Sequence, residues 1–181
     1  LIDDSINLKP LLRIFLIILI SIILITLNEK YIIKELIFYN FNDQSIYLKK
    51  LSFIFTIFCI LVFCNAFNFI DGINGLSISA GLIWIVIVPL SMQENILIIL
   101  SLLIILFFNL KNKIFLGNSG ASILSFYISI NYIKYYNENK FLYADQILIF
   151  FLIPGLDLIR LFVVRIMKQK SPFNGDLNHL H

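Results

Sequence analysis

Six apolar runs, each close to the length that crosses a lipid bilayer, make up most of this 181-residue chain. They cover residues 11–27, 51–66, 76–92, 96–110, 121–136 and 147–164. A spanning helix needs about 20 mainly apolar residues, with roughly 17 as the lower limit. Because backbone groups in lipid must satisfy their own hydrogen bonds, helices are the expected form of these runs. The sequence therefore predicts an all-α integral membrane protein, a polytopic bundle of six transmembrane helices in one domain over residues 1–181.

The composition excludes several classes of protein. Hydrophobic residues make up 60% of the chain and charged residues only 14%, whereas a soluble domain carries about 25% charged residues. A soluble cytosolic enzyme, a disordered tail and a nucleic-acid-binding domain are therefore excluded. The net charge of +3 is too small to indicate a polyanionic partner. The lipid bilayer is the partner that this composition predicts, and nucleic acid is not expected.

Six spans would sort the polar loops onto two faces of the membrane. Residues 1–10, 65–75, 111–120 and 165–181 share one face, and residues 29–50, 93–95 and 137–145 share the other. Eight of the 14 basic residues lie in or next to the loops of the first face. Since loops rich in Lys and Arg stay in the cytoplasm, the first face is predicted to be cytoplasmic.

The loop 29–50 is long for a connection between two spans. Its residues 32–39 and 45–48 are rich in β-forming side chains, and residues 40–44 between them are typical of a turn. Two such runs around a turn indicate a hairpin. A small external β-hairpin is therefore predicted in this loop.

Polar residues suited to chemistry gather on the predicted cytoplasmic face. The segment 65–76, NAFNFIDGINGL, joins two apolar runs and spaces Asn68, Asp71 and Asn74 three residues apart. That spacing would place three oxygen-bearing side chains on one face of a helix, which indicates a ligand site. Because Asx-Gly pairs favour turns with positive φ, a tight re-entrant turn is the alternative interpretation.

Two further segments on this face suit phosphate chemistry. Asp3 and Asp4 precede the first run; such a pair is either a solvated helix cap or part of a magnesium site or general base beside a phosphate. Residues 115–120, FLGNSG, open the fifth run. Backbone amides at a helix start bind anions such as phosphate, although the same residues also form ordinary turns.

Both histidines of the chain lie in the segment 171–181, SPFNGDLNHLH, which follows Arg165. His179 and His181 beside basic residues would bind phosphates and move a proton. A metal pair is the alternative, but Zn²⁺ takes a third and a fourth ligand for which the sequence offers no candidate. Asp157 and Arg160, three residues apart in the sixth run, are interpreted as an intrahelical ion pair or as functional groups.

Taken together, these motifs resemble the polyprenyl-phosphate N-acetylhexosamine-1-phosphate transferases, glycosyltransferase family 4, which also contain phospho-N-acetylmuramoyl-pentapeptide transferase. The matching residues are Asp3-Asp4, segment 65–76, segment 115–120 and segment 171–181, in that order. The resemblance implies that the chain is the central and C-terminal part of a longer protein, with further N-terminal spans and a C-terminal end that are missing from it. The ending is similar to the branch that loads N-acetylhexosamine phosphate for O-antigen (lipopolysaccharide), teichoic or capsular glycans.

The resemblance implies a reaction, its cofactor and its partners. A UDP-sugar such as UDP-N-acetylglucosamine would give its sugar-1-phosphate to a polyprenyl phosphate such as undecaprenyl phosphate and release UMP. The reaction joins two anions, so it needs cations and in-line positioning. Mg²⁺ is the implied cofactor, with Mn²⁺ as a substitute. The implied location is the bacterial inner membrane, which the protein would cross several times with its active loops in the cytoplasm. The implied process is cell-wall glycan biogenesis, and a homodimer is one open oligomeric state.

The resemblance also implies roles for individual residues. Asp3 or Asp4 would position or deprotonate the lipid phosphate, Asp71 would lie at the magnesium and nucleotide site, and the two histidines would hold the diphosphate. The implied catalytic residues are Asp3, Asp4, Asp71, His179 and His181. The implied substrate-binding residues are Asn68, Asn74, Phe115 (stacked on the uracil), Lys113 and Arg165. Asp71 and Asn118 are the implied metal positions.

Two residues depart from the family pattern and keep other functions open. The family usually carries Asp at the positions of Asn74 and Asn118, and the Asp at the second position is a magnesium ligand there. An amide offers an oxygen without a charge, so Asn118 is expected to be a weakened ligand. An inactive family member that binds nucleotide sugar or lipid is therefore one alternative. A non-enzymatic transporter is another, although transporters place polar residues near the bilayer midplane.

Overall fold

The computed structural model describes residues 10–39, 45–71, 74–87, 92–139 and 142–167. These residues form seven α-helices and one two-stranded hairpin. In chain order they are α1 (Pro10–Leu27), β1 (Glu35–Ile37), β2 (Ser45–Tyr47), α2 (Ser52–Ile70), α3 (Leu76–Ile87), α4 (Met92–Leu110), α5 (Gly117–Asn139), α6 (Ala144–Phe150) and α7 (Leu152–Met167). Single 3₁₀ turns, Glu29–Tyr31 and Lys49–Leu51, flank the hairpin.

Helices α2 and α5 pack against each other at the centre of the fold. Their buried faces combine apolar side chains such as Phe67 and Ile128 with the small polar side chains Thr56 and Ser125. Each buried hydroxyl donates to a carbonyl of its own helix, Thr56 to Ser52 and Ser125 to Ser122. Small residues whose hydroxyls are satisfied internally allow helix backbones to approach closely, so this contact suits an apolar surrounding.

An aromatic cluster joins α2, α3 and α5 to the junction between α6 and α7. The Phe151 ring lies 4.3 Å from the Phe63 ring, 5.2 Å from Trp84 and 4.9 Å from Tyr132, measured between centroids. The Tyr132 hydroxyl donates to the Trp84 carbonyl at 3.1 Å, which satisfies its polar atom inside the cluster. Aromatic pairs at these separations each add about 0.5–1.5 kcal/mol beyond the area they bury.

The prediction of one continuous helix over residues 147–164 is wrong. The structure ends α6 at Phe150 and begins α7 at Leu152, with Phe151 between them. Pro154 lies in the first turn of α7, where its missing amide hydrogen costs no helical bond, whereas within a continuous helix it would remove one. The break also turns Phe151 into the aromatic cluster.

Other helix boundaries shift by a few residues. Helix α2 continues to Ile70, past the predicted end at Ala66, and α4 begins at Met92 rather than at Ile96. Met92, predicted at the end of the third run, therefore belongs to the fourth helix. The described part of the third helix ends at Ile87, because residues 88–91 lie outside the described residues.

By length and composition, one helical segment of the described residues can cross a membrane, Lys49–Ile70. Shorter apolar helices are Leu11–Leu27, Leu76–Ile87 and Asn95–Leu110. Large apolar side chains on several helices are exposed, including Ile54, Leu97 and Ile123 at 66%, 70% and 72%. Exposed apolar surface of this kind suits contact with lipid, while the six-span topology stays a prediction.

The predicted hairpin is confirmed. Strands β1 and β2 are antiparallel, with Leu36 opposite Ile46, and the predicted turn 40–44 lies outside the described residues. The Tyr136 hydroxyl near the end of α5 donates to the Glu35 carbonyl and accepts from the Ile37 amide, at 3.1 and 2.7 Å. The hairpin therefore lies at the C-terminal end of α5.

The fold thus has two ends, which differ in the chain segments they carry. The Thr56 hydroxyl, near the start of α2, accepts from the Ile33 amide at 2.9 Å. Helix α2 therefore begins where α5 finishes, so the two helices are antiparallel. We call this the hairpin end. The opposite end carries residues 71 and 74–77, which follow α2, and residues 109–117, which run from the last turn of α4 to the start of α5. We call it the loop end.

Cysteine labelling would test whether the two ends face opposite sides of a membrane. In a variant lacking Cys59 and Cys64, we expect a cysteine at Tyr47 to react with an impermeant maleimide added to intact cells or spheroplasts. Cysteines at Asn74 and Lys113 should react only after permeabilisation, because both belong to the loop end. Reaction of all three positions from one side would contradict the arrangement.

Candidate functional site

Two loops meet at the loop end of the fold. The first follows α2 and leads into α3, with residues 71, 74 and 75 described, and the second, residues 111–116, connects α4 to α5. The Asn74 side-chain amide donates to the side-chain oxygen of Asn112. The Gly75 amide donates to the side-chain oxygen of Asn109 at 2.6 Å. The two bonded pairs of residues are 38 and 34 residues apart in sequence, so the two loops are in direct contact through the fold.

Helix α2 delivers two predicted site residues to this end. Asn68 lies in its last turn, and Asp71 is its C-cap, with φ −70° and ψ −4°. The Asn68 side-chain oxygen is buried and has no hydrogen-bond partner among the described residues. A buried acceptor without a partner costs about 1–3 kcal/mol. This oxygen is therefore an available ligand atom one helical turn before the Asp71 carboxylate.

The Asp71 carboxylate lies beside the start of α3. Its Oδ1 accepts from the hydroxyl of Ser77, which is 1% exposed and lies in the first turn of α3. The N-terminal end of a helix favours negative charge through its dipole. The carboxylate itself is half-buried. Ser77 and α3 therefore fix Asp71 in one orientation while part of it stays accessible.

The prediction that Asn74 shares a helical face with Asn68 and Asp71 is wrong. Helix α2 ends at Ile70, and Asn74 belongs to the turn that leads into α3. Gly75 adopts φ +78°, a left-handed conformation that does not continue a helix. The positive φ predicted for an Asx-Gly pair is therefore present at Asn74-Gly75, while residues 72 and 73 lie outside the described residues.

The second loop begins with a tight helix C-terminus. Asn112 adopts the left-handed conformation, φ +56°, its amide donates to the Asn109 carbonyl at 2.9 Å, and the Lys113 amide donates to the Phe108 carbonyl at 3.0 Å. This pair of bonds is the Schellman arrangement, which satisfies the last carbonyls of α4 and turns the chain sharply. Asn tolerates this backbone conformation better than other non-glycine residues.

The rest of the second loop presents its side chains outward. Phe115 is 62% exposed, and Lys113 and Asn118 are also exposed. Gly117, with φ +70°, begins α5, so the prediction that this segment opens a helix is confirmed. The N-terminal amides of α5 and the exposed ring of Phe115 therefore lie on the same short segment.

Comparison with known proteins decides the family. The sequence model of glycosyl transferase family 4 matches residues 1–136. The chain belongs to glycosyl transferase family 4. It is 31% identical over 140 residues to undecaprenyl-phosphate alpha-N-acetylglucosaminyl 1-phosphate transferase of Thermotoga maritima, covering 77% of this chain and 45% of that protein.

The proteins of the same name from Yersinia pestis and Escherichia coli K12 are more distant relatives. Each is 23% identical to this chain, over 194 and 197 residues, covering 99% of this chain and 53% and 52% of those proteins. The chain thus spans about half the length of the curated relatives it matches. No solved structure matches it.

The loop end gathers six of the residues that the family resemblance implies. Asn68, Asp71 and Asn74 come from the first loop and the helix before it. Lys113, Phe115 and Asn118 come from the second loop and the helix after it. Arg165 lies in α7. Asp3, Asp4, His179 and His181 lie outside the described residues. The structure therefore brings together the two central motifs of this family 4 chain.

The described residues offer a partial set of metal ligands. Within the part of the chain that the structure describes, no group of three or more His, Cys, Asp or Glu side chains is placed to hold a metal. The Asp71 carboxylate and the partnerless Asn68 oxygen are nevertheless hard oxygen donors, which Mg²⁺ prefers. Mg²⁺ is usually held by one or two carboxylates plus substrate phosphates, so this donor set fits it.

Three residues of the site are absent from the sequence-based prediction: Ser77, Asn109 and Asn112. Among the three, Asn109 has the clearest sequence signal, because it is a polar residue in the last turn of an apolar helix. In the structure its exposed fraction is 4%. Asn112 follows within the same turn as a candidate helix terminator. Their partners lie more than 30 residues away in sequence, so neither contact is visible in the local pattern.

Gly75 should resist substitution for two physical reasons. A Cβ there would lie 2.9 Å from Leu110 Cδ2, and its φ of +78° is unfavourable for other residues by about 1–2 kcal/mol. We expect Gly75→Ala to lower the apparent melting temperature of the purified protein. Gly155→Ala is the matched control, because a Cβ there has no neighbour within 4 Å and Ala favours a helix. Equal melting temperatures would contradict the role of Gly75.

Proposed function

We propose that the protein transfers a sugar-1-phosphate, an N-acetylhexosamine-1-phosphate, from a UDP-sugar to a polyprenyl phosphate and releases UMP at the loop end. Family 4 membership and the names of the curated relatives support transfer of N-acetylglucosaminyl 1-phosphate to undecaprenyl phosphate. The observation that carries the proposal is the contact between the Asp71 loop and the Phe115 loop. The reaction needs one site that binds a nucleobase, a diphosphate and a cation.

The second loop suits the nucleotide half of the donor. The exposed ring of Phe115 offers a face on which uracil can stack, an interaction worth about 1–3 kcal/mol for each base in known cases. Lys113, two residues before it, supplies a positive charge for the diphosphate. The N-terminal amides of α5 follow directly and favour phosphate oxygens. These three features lie within eight residues of the chain, 113–120.

The first loop suits the cation and the reacting phosphates. Mg²⁺ bound there would neutralise charge that develops on the phosphate oxygens during transfer. Asp71 and Asn68 are the described residues that would hold it, and Mn²⁺ would fit the same oxygen donors. The C-terminal end of α2 adds partial negative charge, which favours a cation. Asp3 and Asp4 would supply further carboxylates.

The chemistry exchanges one phosphorus–oxygen bond for another. In a one-step transfer, an oxygen of the polyprenyl phosphate attacks the sugar-bearing phosphorus of the UDP-sugar, and the bond from that phosphorus to the oxygen of UMP breaks. In a two-step transfer, an Asp carboxylate attacks that phosphorus first and releases UMP, and the lipid oxygen then displaces the carboxylate. The chain's part is to orient and to offset repulsion between two anions. In this proposal Asp3 or Asp4 positions the lipid phosphate or takes its proton. Arg165, His179 and His181 bind the diphosphate and stabilise the leaving UMP.

The direct test uses the full-length protein, purified, with undecaprenyl phosphate and UDP-N-acetylglucosamine. Lipid-linked sugar diphosphate and UMP should form in equal amounts, and both should need the lipid. Binding of UDP-sugar without release of UMP would favour an inactive family member. Absence of both binding and release would contradict the proposed function.

Asp71→Asn should separate chemistry from folding. The amide keeps the size of the side chain but removes its charge, so we expect normal expression and a fall in kcat of about 10²–10³-fold, the scale for loss of one transition-state stabiliser. Asp145→Asn is the matched control at the hairpin end, where Asp145 accepts from the Tyr39 amide. Near-full activity of Asp71→Asn would show that the carboxylate has no part in transfer.

Phe115→Ala should weaken binding of the nucleotide. Loss of base stacking predicts a rise in the KM for UDP-sugar of about tenfold or more, with less effect on the lipid KM. Phe58→Ala is the matched control, because Phe58 has nearly the same exposed fraction, 61%, on the side of α2. An unchanged nucleotide KM, or equal effects of the two variants, would identify Phe115 as a lipid-facing residue.

Asn118→Asp should change the demand for magnesium. A carboxylate in place of the amide adds a charge that attracts a divalent ion. If the parent transfers sugar phosphate, we expect it to need more Mg²⁺ than Asn118→Asp does in a titration of the transfer rate. Impaired transfer by Asn118→Asp at ordinary Mg²⁺ would show that the amide is a working part of a differently built site.

A further inference from the structure

We infer that Asn109 is a positioning residue that sets the spacing between the two loops of the site. It lies in the last turn of α4 and is not one of the residues implied in the chemistry. Its side-chain oxygen accepts from the Gly75 amide at 2.6 Å, and its side-chain nitrogen donates to the Ile114 carbonyl at 2.8 Å. This inference rests on the proposed function.

Both bonds of Asn109 go to main-chain groups, so the orientation of its amide is determined by its partners. A backbone amide can only donate, and a backbone carbonyl can only accept. If the side-chain amide were flipped, its NH₂ group would face the Gly75 N–H and its oxygen would face the Ile114 carbonyl oxygen. Neither hydrogen bond could then form. Asp, Ser and Leu at this position each lose at least one of the two bonds. The structure thus requires both polar atoms of an asparagine.

Asn109 affects the site because its two partners, Gly75 and Ile114, lie in the two different loops. Gly75 follows Asn74 and lies four residues after Asp71, and Ile114 lies between Lys113 and Phe115. One side chain therefore connects the loop proposed for the cation with the loop proposed for the nucleotide. Because Asn109 is 4% exposed, water does not compete effectively for these bonds.

Loss of the Asn109 side chain should release the loops without removing any group that touches substrate. For Asn109→Ala we expect kcat/KM for UDP-sugar to fall about tenfold to 100-fold, because misplacement of reacting groups by about 1 Å costs that much. Both kcat and the nucleotide KM should change, since the spacing between the loops is altered. The lipid KM should change least.

Asn95→Ala is the matched control for Asn109→Ala. Asn95 lies on the same helix, is also 4% exposed, and accepts from the Tyr127 hydroxyl at 3.0 Å. It lies 14 residues before Asn109, which is about 21 Å along the helix. The two variants therefore remove the same buried side chain near opposite ends of α4. We expect similar losses of melting temperature, with unchanged kinetic constants for Asn95→Ala.

Hydrogen exchange of backbone amides in the full-length protein provides a readout that does not depend on activity. In Asn109→Ala the Gly75 amide and residues 113–117 should exchange faster than in the parent, whereas Asn95→Ala should leave both unchanged. If Asn109→Ala does not fold, Asn109→Asp at alkaline pH replaces it, because a carboxylate still accepts from Gly75 but cannot donate to Ile114. Faster exchange should then be confined to residues 113–117.

The outcomes separate this inference from the proposed function. Faster exchange at the two loops together with the split in kinetic constants supports it. Unchanged exchange, or equal kinetic losses in Asn109→Ala and Asn95→Ala, would overturn it and reduce Asn109 to a packing residue. If the parent protein transfers no sugar phosphate, the proposed function fails, and the exchange measurement alone decides whether Asn109 holds the two loops.

Discussion

The antiparallel packing of α2 against α5 is the constraint on which the rest of the structure depends. It places the start of α2 and the finish of α5 together, where Thr56 and Tyr136 bond the hairpin segment. It also places the end of α2 beside the start of α5, where both central family motifs lie. The buried faces of both helices carry small hydroxyl residues that bond within their own helices, which favours close packing of the two backbones.

The loop end combines opposite helix ends, which gives it a mixed electrostatic character. Helices α2 and α4 finish there, so their partial negative charge favours cations, and α3 and α5 begin there, so their amides favour anions. A reaction between two phosphate groups with a divalent cation needs both environments side by side. Asn74 and Asn118 add no negative charge at this end, and the Asn74–Asn112 pair shows one use for an amide.

Hydropathy and turn residues predicted much of this architecture, because apolar length and Asx-Gly turns are local properties. The hairpin, the helix opened by segment 115–120 and the grouping of segments 65–76 and 115–120 were accessible in this way, although that helix begins at Gly117 rather than at the predicted Ala121. The break at Phe151 was not, because a proline in an apolar run permits either a kink or a new helix. Asn109 was missed because its partners, Gly75 and Ile114, are fixed by tertiary contact rather than by spacing.

In the proposed function, one site at the loop end holds the divalent cation beside both loops. Mn²⁺ replaces Mg²⁺ at oxygen-ligand sites, so its distance from a nitroxide label on the full-length protein locates the site. With labels placed singly at Lys111 and Lys50, the Mn²⁺–label distance should be shorter at Lys111 by a large part of the roughly 28 Å length of α2. Binding of Mn²⁺ should weaken in Asp71→Asn. Equal distances to the two labels, or a position nearer to Lys50, would contradict the account.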